Sequence, residues 1–134
     1  MFRRILGKLL RRGPAPLTGA PARRREKTYA AQSGYVYHYF YTGRRAVEAG
    51  VEYVFDVSGD RRALHPLSVL VEDAALAQWE SRAGRALGAS ERYAIAKLGL
   101  FQAFDERAHA AVLREPVRLR AADVDAILES LGIS

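Results

Sequence analysis

Cysteine is absent from this chain of 134 residues. There is therefore no disulfide, no thiolate nucleophile and no cysteine-ligated zinc, which fits a reducing compartment. No run approaches the roughly 18 apolar residues that span a bilayer. There is no P-loop, no G-x-G-x-x-G and no H-E-x-x-H. His38, His65 and His109 lie far apart, without the short spacings of a zinc site. Ser58, Asp60 and His65 could be drawn as a triad, but no strained nucleophile turn precedes the serine. No catalytic residue, cofactor or metal is expected, and no motif marks an enzyme.

Acid is almost missing from one stretch. Residues 1–27 hold nine Lys/Arg against the single acid Glu26, a net +8, while the rest has twelve bases and fourteen acids, a net −2. The whole-chain charge of +6 thus belongs to a tail and not to a basic domain. The length fits one domain, and we divide the chain into a tail over 1–27 and a single small domain over 28–134. Its richness in Ala, Gly and Arg matches the usage of a high-GC bacterial genome.

On a helical wheel, Phe2, Ile5, Leu6, Leu9 and Leu10 share an arc of roughly 140°. Arg3, Arg4, Lys8, Arg11 and Arg12 fill the opposite arc. This is the pattern of a helix lying in a membrane interface, with apolar side chains among the acyl chains and cations among anionic headgroups. Gly13-Pro14-Ala15-Pro16 ends it, and residues 13–22 read as a linker. Arg23, Arg24 and Arg25 form a second basic cluster. Three readings compete for the tail: attachment to an anionic membrane surface, contact with nucleic-acid phosphates, and a solubilising extension. Lys8 breaks the apolar run before it reaches the length of a secretory signal. The Arg-rich, acid-poor character also suits an organelle transit peptide.

From Thr28 the pattern becomes that of strands. Period two places Tyr35, Tyr37, Tyr39 and Tyr41 on one face, with Val36, His38 and Phe40 on the other. Tyr29 shares the tyrosine parity. Thr42 to Arg45 read as a turn, and Ala46 to Gly50 as its extension. Val51–Val57 and Leu67–Val71 read as second and third strands. Val117-Arg118-Leu119 is a candidate fourth, edge strand. Asp73 is expected to cap a helix carrying Leu76, Trp79, Ala83 and Leu87, with Gly88 just past its end. Ser90 is expected to cap a second helix, over residues 91–108, and Asp123 a third. The predicted fold is α+β: an antiparallel three-stranded meander packed with three helices, preceded by the basic amphipathic one.

Two features carry candidate chemistry. The tyrosine face could stack on a ligand or partner; the alternative is that the rings pack under helices. The domain's net negative charge argues against nucleic acid there, with Arg44 and Arg45 the nearby exceptions. In the second helix, Leu100, Tyr93, Phe104, Phe101, Ala94 and Leu98 form an apolar arc that also contains Lys97 and Asp105. The two charges are about 12 Å apart along the axis, so each needs its own partner. Lys97 is either a ligand-binding cation or a side chain snorkelling to solvent. Alternatively, the small face of Ala96, Gly99 and Ala103 is the buried one. The helix pair has helix-turn-helix spacing, but its second helix is too apolar for a reading helix.

The function expected is that of a non-enzymatic accessory or interaction domain, cytoplasmic and peripheral at the inner membrane face. Its tail would hold it to an anionic lipid surface. A protein partner of unknown identity would meet the tyrosine-rich sheet or the Trp79 helix. One alternative is a nucleic-acid-associated protein using Arg23 to Arg25 with Arg44 and Arg45. Another is a small-molecule-binding protein or enzyme with its pocket near Lys97.

Overall fold

Strand chemistry dominates up to Glu72 and helix chemistry thereafter. The computed structural model describes residues 15–60, 62–107 and 113–134. The elements are β1 (Lys27–Ala30), β2 (Val36–Val47), β3 (Gly50–Ser58), β4 (His65–Glu72), α1 (Asp73–Ala83), α2 (Ala89–Glu106), β5 (Val117–Leu119) and α3 (Ala121–Ser130). The helix expected over residues 2–12 and His109 lie outside the described residues.

The fold is α+β, as predicted. Its sheet has five strands in the order β1-β2-β3-β4-β5, curled into a half-barrel and served by three helices. The first four strands form an antiparallel meander, and β5 pairs in parallel with β4. The meander thus has four strands rather than three. The additional strand, β1, has only four residues, Lys-Thr-Tyr-Ala. A turn in which Ala31 N–H donates to Tyr35 O folds it back on β2, pairing Tyr29 with Tyr37 and Lys27 with Tyr39.

The largest departure from the predicted elements is at Thr42 to Arg45. These residues do not turn the chain; β2 continues through them to Val47. The register shifts between Tyr41 and Gly43, so Tyr41 faces Phe55 while Arg44 faces Tyr53. Thr42 is the extra residue of a β-bulge, which reverses side-chain parity. Without it Arg44 would share the face of Phe40; with it, Arg44 joins the tyrosines. Gly43 supplies the positive φ of 133°. A Cβ there would meet Thr18 O at 2.8 Å, because residues 17–18 pass over it. Thr18 and Arg44 exchange two backbone hydrogen bonds, each 2.8 Å.

The true β2–β3 turn is Glu48-Ala49, between paired Val47 and Gly50. Gly50 is buried, and a Cβ would run into the Val71 carbonyl and lie 2.9 Å from Asp73 N.

The concave face of the sheet and the helices enclose one core. Phe55, Val57, Leu67, Val69 and Val71 meet Ile95, Leu100 and Phe104 from α2 and Val124, Ile127 and Leu128 from α3. Trp79 of α1 is buried as well, at 8 % exposure, so its ring is part of the core and not a contact surface. α1 ends a turn earlier than predicted, and α2 is displaced by two residues. Gly84, at φ 74°, ends α1, while Gly88 caps α2, its N–H donating to Glu91 Oε1 at 2.9 Å. Asp123 acts from the third position of α3, accepting from Arg120 N–H at 2.9 Å. α1 packs chiefly against α3, so α1 and α2 do not form a helix-turn-helix unit.

The phase of α2 also differs. Ile95, Ala96, Gly99, Leu100, Ala103 and Phe104 are its buried residues, so the small face is the central one. Leu119 of β5 fills the notch at Gly99, where a Cβ would lie 2.7 Å from its Cδ1. α2 is covered by the sheet on one side and by β5 and α3 on another, which a single-stripe wheel does not represent. Lys97 and Asp105 therefore sit on its half-buried flank.

Two outcomes follow for stability. Gly50→Ala should destabilise the fold by about 2 kcal/mol or more in urea unfolding, because backbone must move to admit the methyl. His65 stands in β4 opposite Val57, its Nε2 buried without a hydrogen-bond partner. Burial, helped by Arg114 and opposed by Asp56, lowers its pKa from the ordinary 6.5. A depressed histidine contributes stability that is full above pH 6.5 and is lost as pH falls through that value toward the folded pKa. The Tm should therefore drop on mild acidification, and His65→Gln should flatten that dependence; an equally steep profile in the variant would reassign the effect.

Candidate functional site

The candidate site begins with the parity of the arm that precedes β1. Residues 23–27 already alternate as a strand does. Arg24 turns to the convex face, where its guanidinium pairs with Asp56 and lies 4.4 Å over the Phe40 ring. Glu26 follows it there, 2.7 Å from His38 Nδ1. Arg23, Arg25 and Lys27 turn the other way. The three-arginine cluster of the sequence is thus split, one member being spent on an ion pair.

On the concave side these cations meet the tyrosines. Pro21, Ala22, Arg23, Arg25 and Lys27 from the arm and β1, Tyr39 and Tyr41 from β2, and Tyr93 from α2 enclose a cavity of about 530 Å³. A second cavity of about 580 Å³ adjoins it and shares Tyr41 and Tyr93. Its other walls are Arg44, Val51, Tyr53, Arg92 and the first turn of α2, Ala89 and Ser90. Together they form one cleft between β2 and the N-terminal half of α2.

No carboxylate lines either cavity. Among the described residues, no acidic group lies within ion-pair distance of Arg23, Arg25, Lys27, Arg44 or Lys97. Elsewhere Arg24, Arg45, Arg82, Arg85 and Arg118 each hold a carboxylate, whereas Arg62 and Arg114 have none among the described residues. Arg92 at the cleft wall is paired with Glu80. Lys97 has only the Phe101 ring, 5.8 Å from its Nζ. Its pKa is pushed down by burial and then by Lys27. Lys97 lines neither cavity, and its ammonium and that of Lys27 repel each other.

The phenols are donors. Burial, with Tyr93 adding, pushes Tyr39 up to about 12. Burial likewise raises Tyr41, Tyr53 and Tyr93, with Arg44 partly offsetting it at Tyr41. All four remain protonated at neutral pH and offer O–H groups. The Tyr41 hydroxyl is buried beside the Arg44 guanidinium, and no protein acceptor among the described residues takes its O–H. Guanidinium, ammonium and phenol together can bind an acceptor-rich group. No carboxylate and no histidine lines the cleft.

The predicted tyrosine face is not a uniform platform. Tyr37 and Tyr39 are 3 % and 2 % exposed and pack under α2, Tyr37 lying parallel to Phe104 at 4.5 Å. Tyr35 is 51 % exposed, at the far end of the row. Only Tyr39 and Tyr41 of the row reach the cleft, while Lys97 flanks it one turn beyond Tyr93. Tyr53, Tyr93 and Lys27 were not singled out as site residues, although Lys27 shares the odd-numbered parity of the tyrosines. Asp105 has its own partners: Tyr29 Oη at 2.7 Å and Gln32 N–H at 2.9 Å. The supposed triad is a local turn, with Asp60 accepting from Ser58 Oγ at 3.1 Å and from Arg62 N–H at 2.9 Å.

Among the described residues no three His, Asp or Glu side chains gather as metal ligands. Comparison with family models, with curated proteins and with solved structures finds no match, so the cleft is interpreted from its own chemistry.

Asp105 is the clip that holds β1 and its turn onto α2. Asp105→Asn should lower stability by about 1–2 kcal/mol in urea unfolding, because a charged acceptor of two bonds is lost. Combined with Tyr29→Phe, the loss should be less than additive. Full additivity would show that the two residues act separately.

Proposed function

We propose that this protein is a non-enzymatic accessory module that docks on an anionic membrane surface through its basic N-terminal segment and the cations that continue it into the domain. One observation carries the reading. Arg23, Arg25, Lys27 and Arg44, none within ion-pair distance of a carboxylate among the described residues, line the cleft where the N-terminal arm crosses the sheet. The arm thus extends the positive charge of residues 1–12 into the folded domain. The apolar arc of Phe2, Ile5, Leu6, Leu9 and Leu10 supports insertion beside that charge. Each cation near such a surface contributes about 1 kcal/mol. Among the described residues no helix is long and apolar enough to cross a membrane, so attachment would be peripheral. Among the described residues, Tyr35, Val36 and Leu64 are large apolar side chains left exposed for a protein partner.

The nucleic-acid reading draws on the same arm but has less to use. Arg24 and Arg45 are held by Asp56 and Glu52. Vesicle flotation of the full chain separates the two readings. Binding should require phosphatidylglycerol in the vesicles, weaken with salt, and fall sharply when Leu6→Asp and Leu9→Asp are introduced together. Undiminished binding by that double variant, or tighter binding to DNA than to vesicles at equal salt, would overturn the proposal.

A further inference from the structure

We propose that the cleft between β2 and the N-terminal half of α2 is a binding site for a small organic anion, a phosphate or carboxylate carried on a flat, apolar body. The site belongs to the folded domain and does not rest on membrane attachment.

Its size fits the class: about 530 Å³ beside about 580 Å³ lies within the range of ligand pockets. Its walls select the body. Tyr39, Tyr41 and Tyr93 present ring faces and edges, and Pro21 with Ala22 closes the arm side with apolar surface. Aromatic walls of this kind favour a planar partner.

Its charges select the head. Arg23, Arg25 and Lys27 project from one extended segment into the same cavity without a carboxylate among the described residues. Lys97 lies outside the cavity lining, near enough to Lys27 for the two to repel. Arg23, Arg25 and Lys27 are exposed, so solvent screens their mutual repulsion, and a bound anion would supply the counter-charge they lack. Guanidinium groups bind carboxylate and phosphate oxygens through paired, charge-assisted hydrogen bonds. The buried Tyr41 hydroxyl stands at the junction of the two cavities and would gain an acceptor. Every polar side chain of the first cavity can donate and none is an anion, so a cationic ligand is disfavoured there.

The test is calorimetric titration of the full chain with phenyl phosphate, inorganic phosphate and benzyl alcohol. Phenyl phosphate should bind at least about tenfold more tightly than either fragment, because head and body are both recognised. Arg23→Ala with Arg25→Ala should weaken phenyl phosphate by a further tenfold or so, both side chains being solvent-accessible and outside the core. Arg82→Ala, whose exposed side chain pairs with Asp125 away from the cleft, should bind as the unmodified protein does. No binding of phenyl phosphate, equal binding of benzyl alcohol, or indifference to the Arg23 and Arg25 substitutions would overturn the site. A second arm identifies the source of the anion. If phenyl phosphate releases the protein from phosphatidic acid vesicles, the cleft takes a lipid headgroup; if both bind together, it takes a soluble compound. The Leu6→Asp, Leu9→Asp chain separates the two proposals, because it should retain phenyl phosphate whatever happens to its vesicle binding.

Discussion

The seam of rings between β2 and α2 is the contact on which the rest of the structure depends. At its closed end the rings lie face to face: Tyr29 on Phe101 at 4.2 Å and Tyr37 on Phe104 at 4.5 Å, both within 10° of parallel. Asp105 locks that end by accepting from Tyr29 and from the turn after β1. At the other end the rings meet at an angle, Tyr41 against Tyr93 at 4.9 Å and 62°. Flat stacking seals the first end, whereas tilted contact leaves room. The cleft occupies that second end, so the aromatic seam both holds the helix on the curled sheet and creates the space.

Much of this was legible in the residues because strand parity is a local property. The period-two row Tyr35, Tyr37, Tyr39, Tyr41 lies on one face, and Tyr53, Phe55 and Val57 face the core as their spacing implies. What escaped depends on partners distant in sequence. Thr42-Gly43 has the chemistry of a turn, and nothing nearby reveals that Thr18 will pair with Arg44 across the bulge. Asp105 looks like a buried orphan on a wheel because its partner, Tyr29, is 76 residues away. The aromatic arc is not the centre of α2, and the alternative small face is, for a related reason. A helix covered on two sides buries small residues where β5 presses against it, and Gly99 is there to admit Leu119. Hydrophobicity alone ranks Phe101 above Gly99 and therefore points to the wrong centre.

Net charge concealed the electrostatics of the domain in the same way. A total of −2 outside the tail suggests no basic surface. Pairing redistributes that total. The acids are consumed by arginines on the convex face and around the helices, as with Asp56, Glu52, Glu80 and Glu91. The cations of the concave face are left over. A local field follows from which charges are neutralised, and only structure assigns that.

The arm is where these arguments converge. It carries the tail's positive charge, but its described part is not a free linker: Thr18 is hydrogen-bonded to β2, and Arg24 and Glu26 are fastened to the convex face. Because alternate residues of an extended chain point in opposite directions, the clamps at Arg24 and Glu26 set the direction of Arg23, Arg25 and Lys27. Fixing cations in advance reduces the ordering entropy that binding would otherwise cost. A bulge performs the matching service on β2 by turning Arg44 toward the same space. Two backbone devices, one strand clamp and one extra residue, thus orient Arg23, Arg25, Lys27 and Arg44, while the ring seam sets the walls between them.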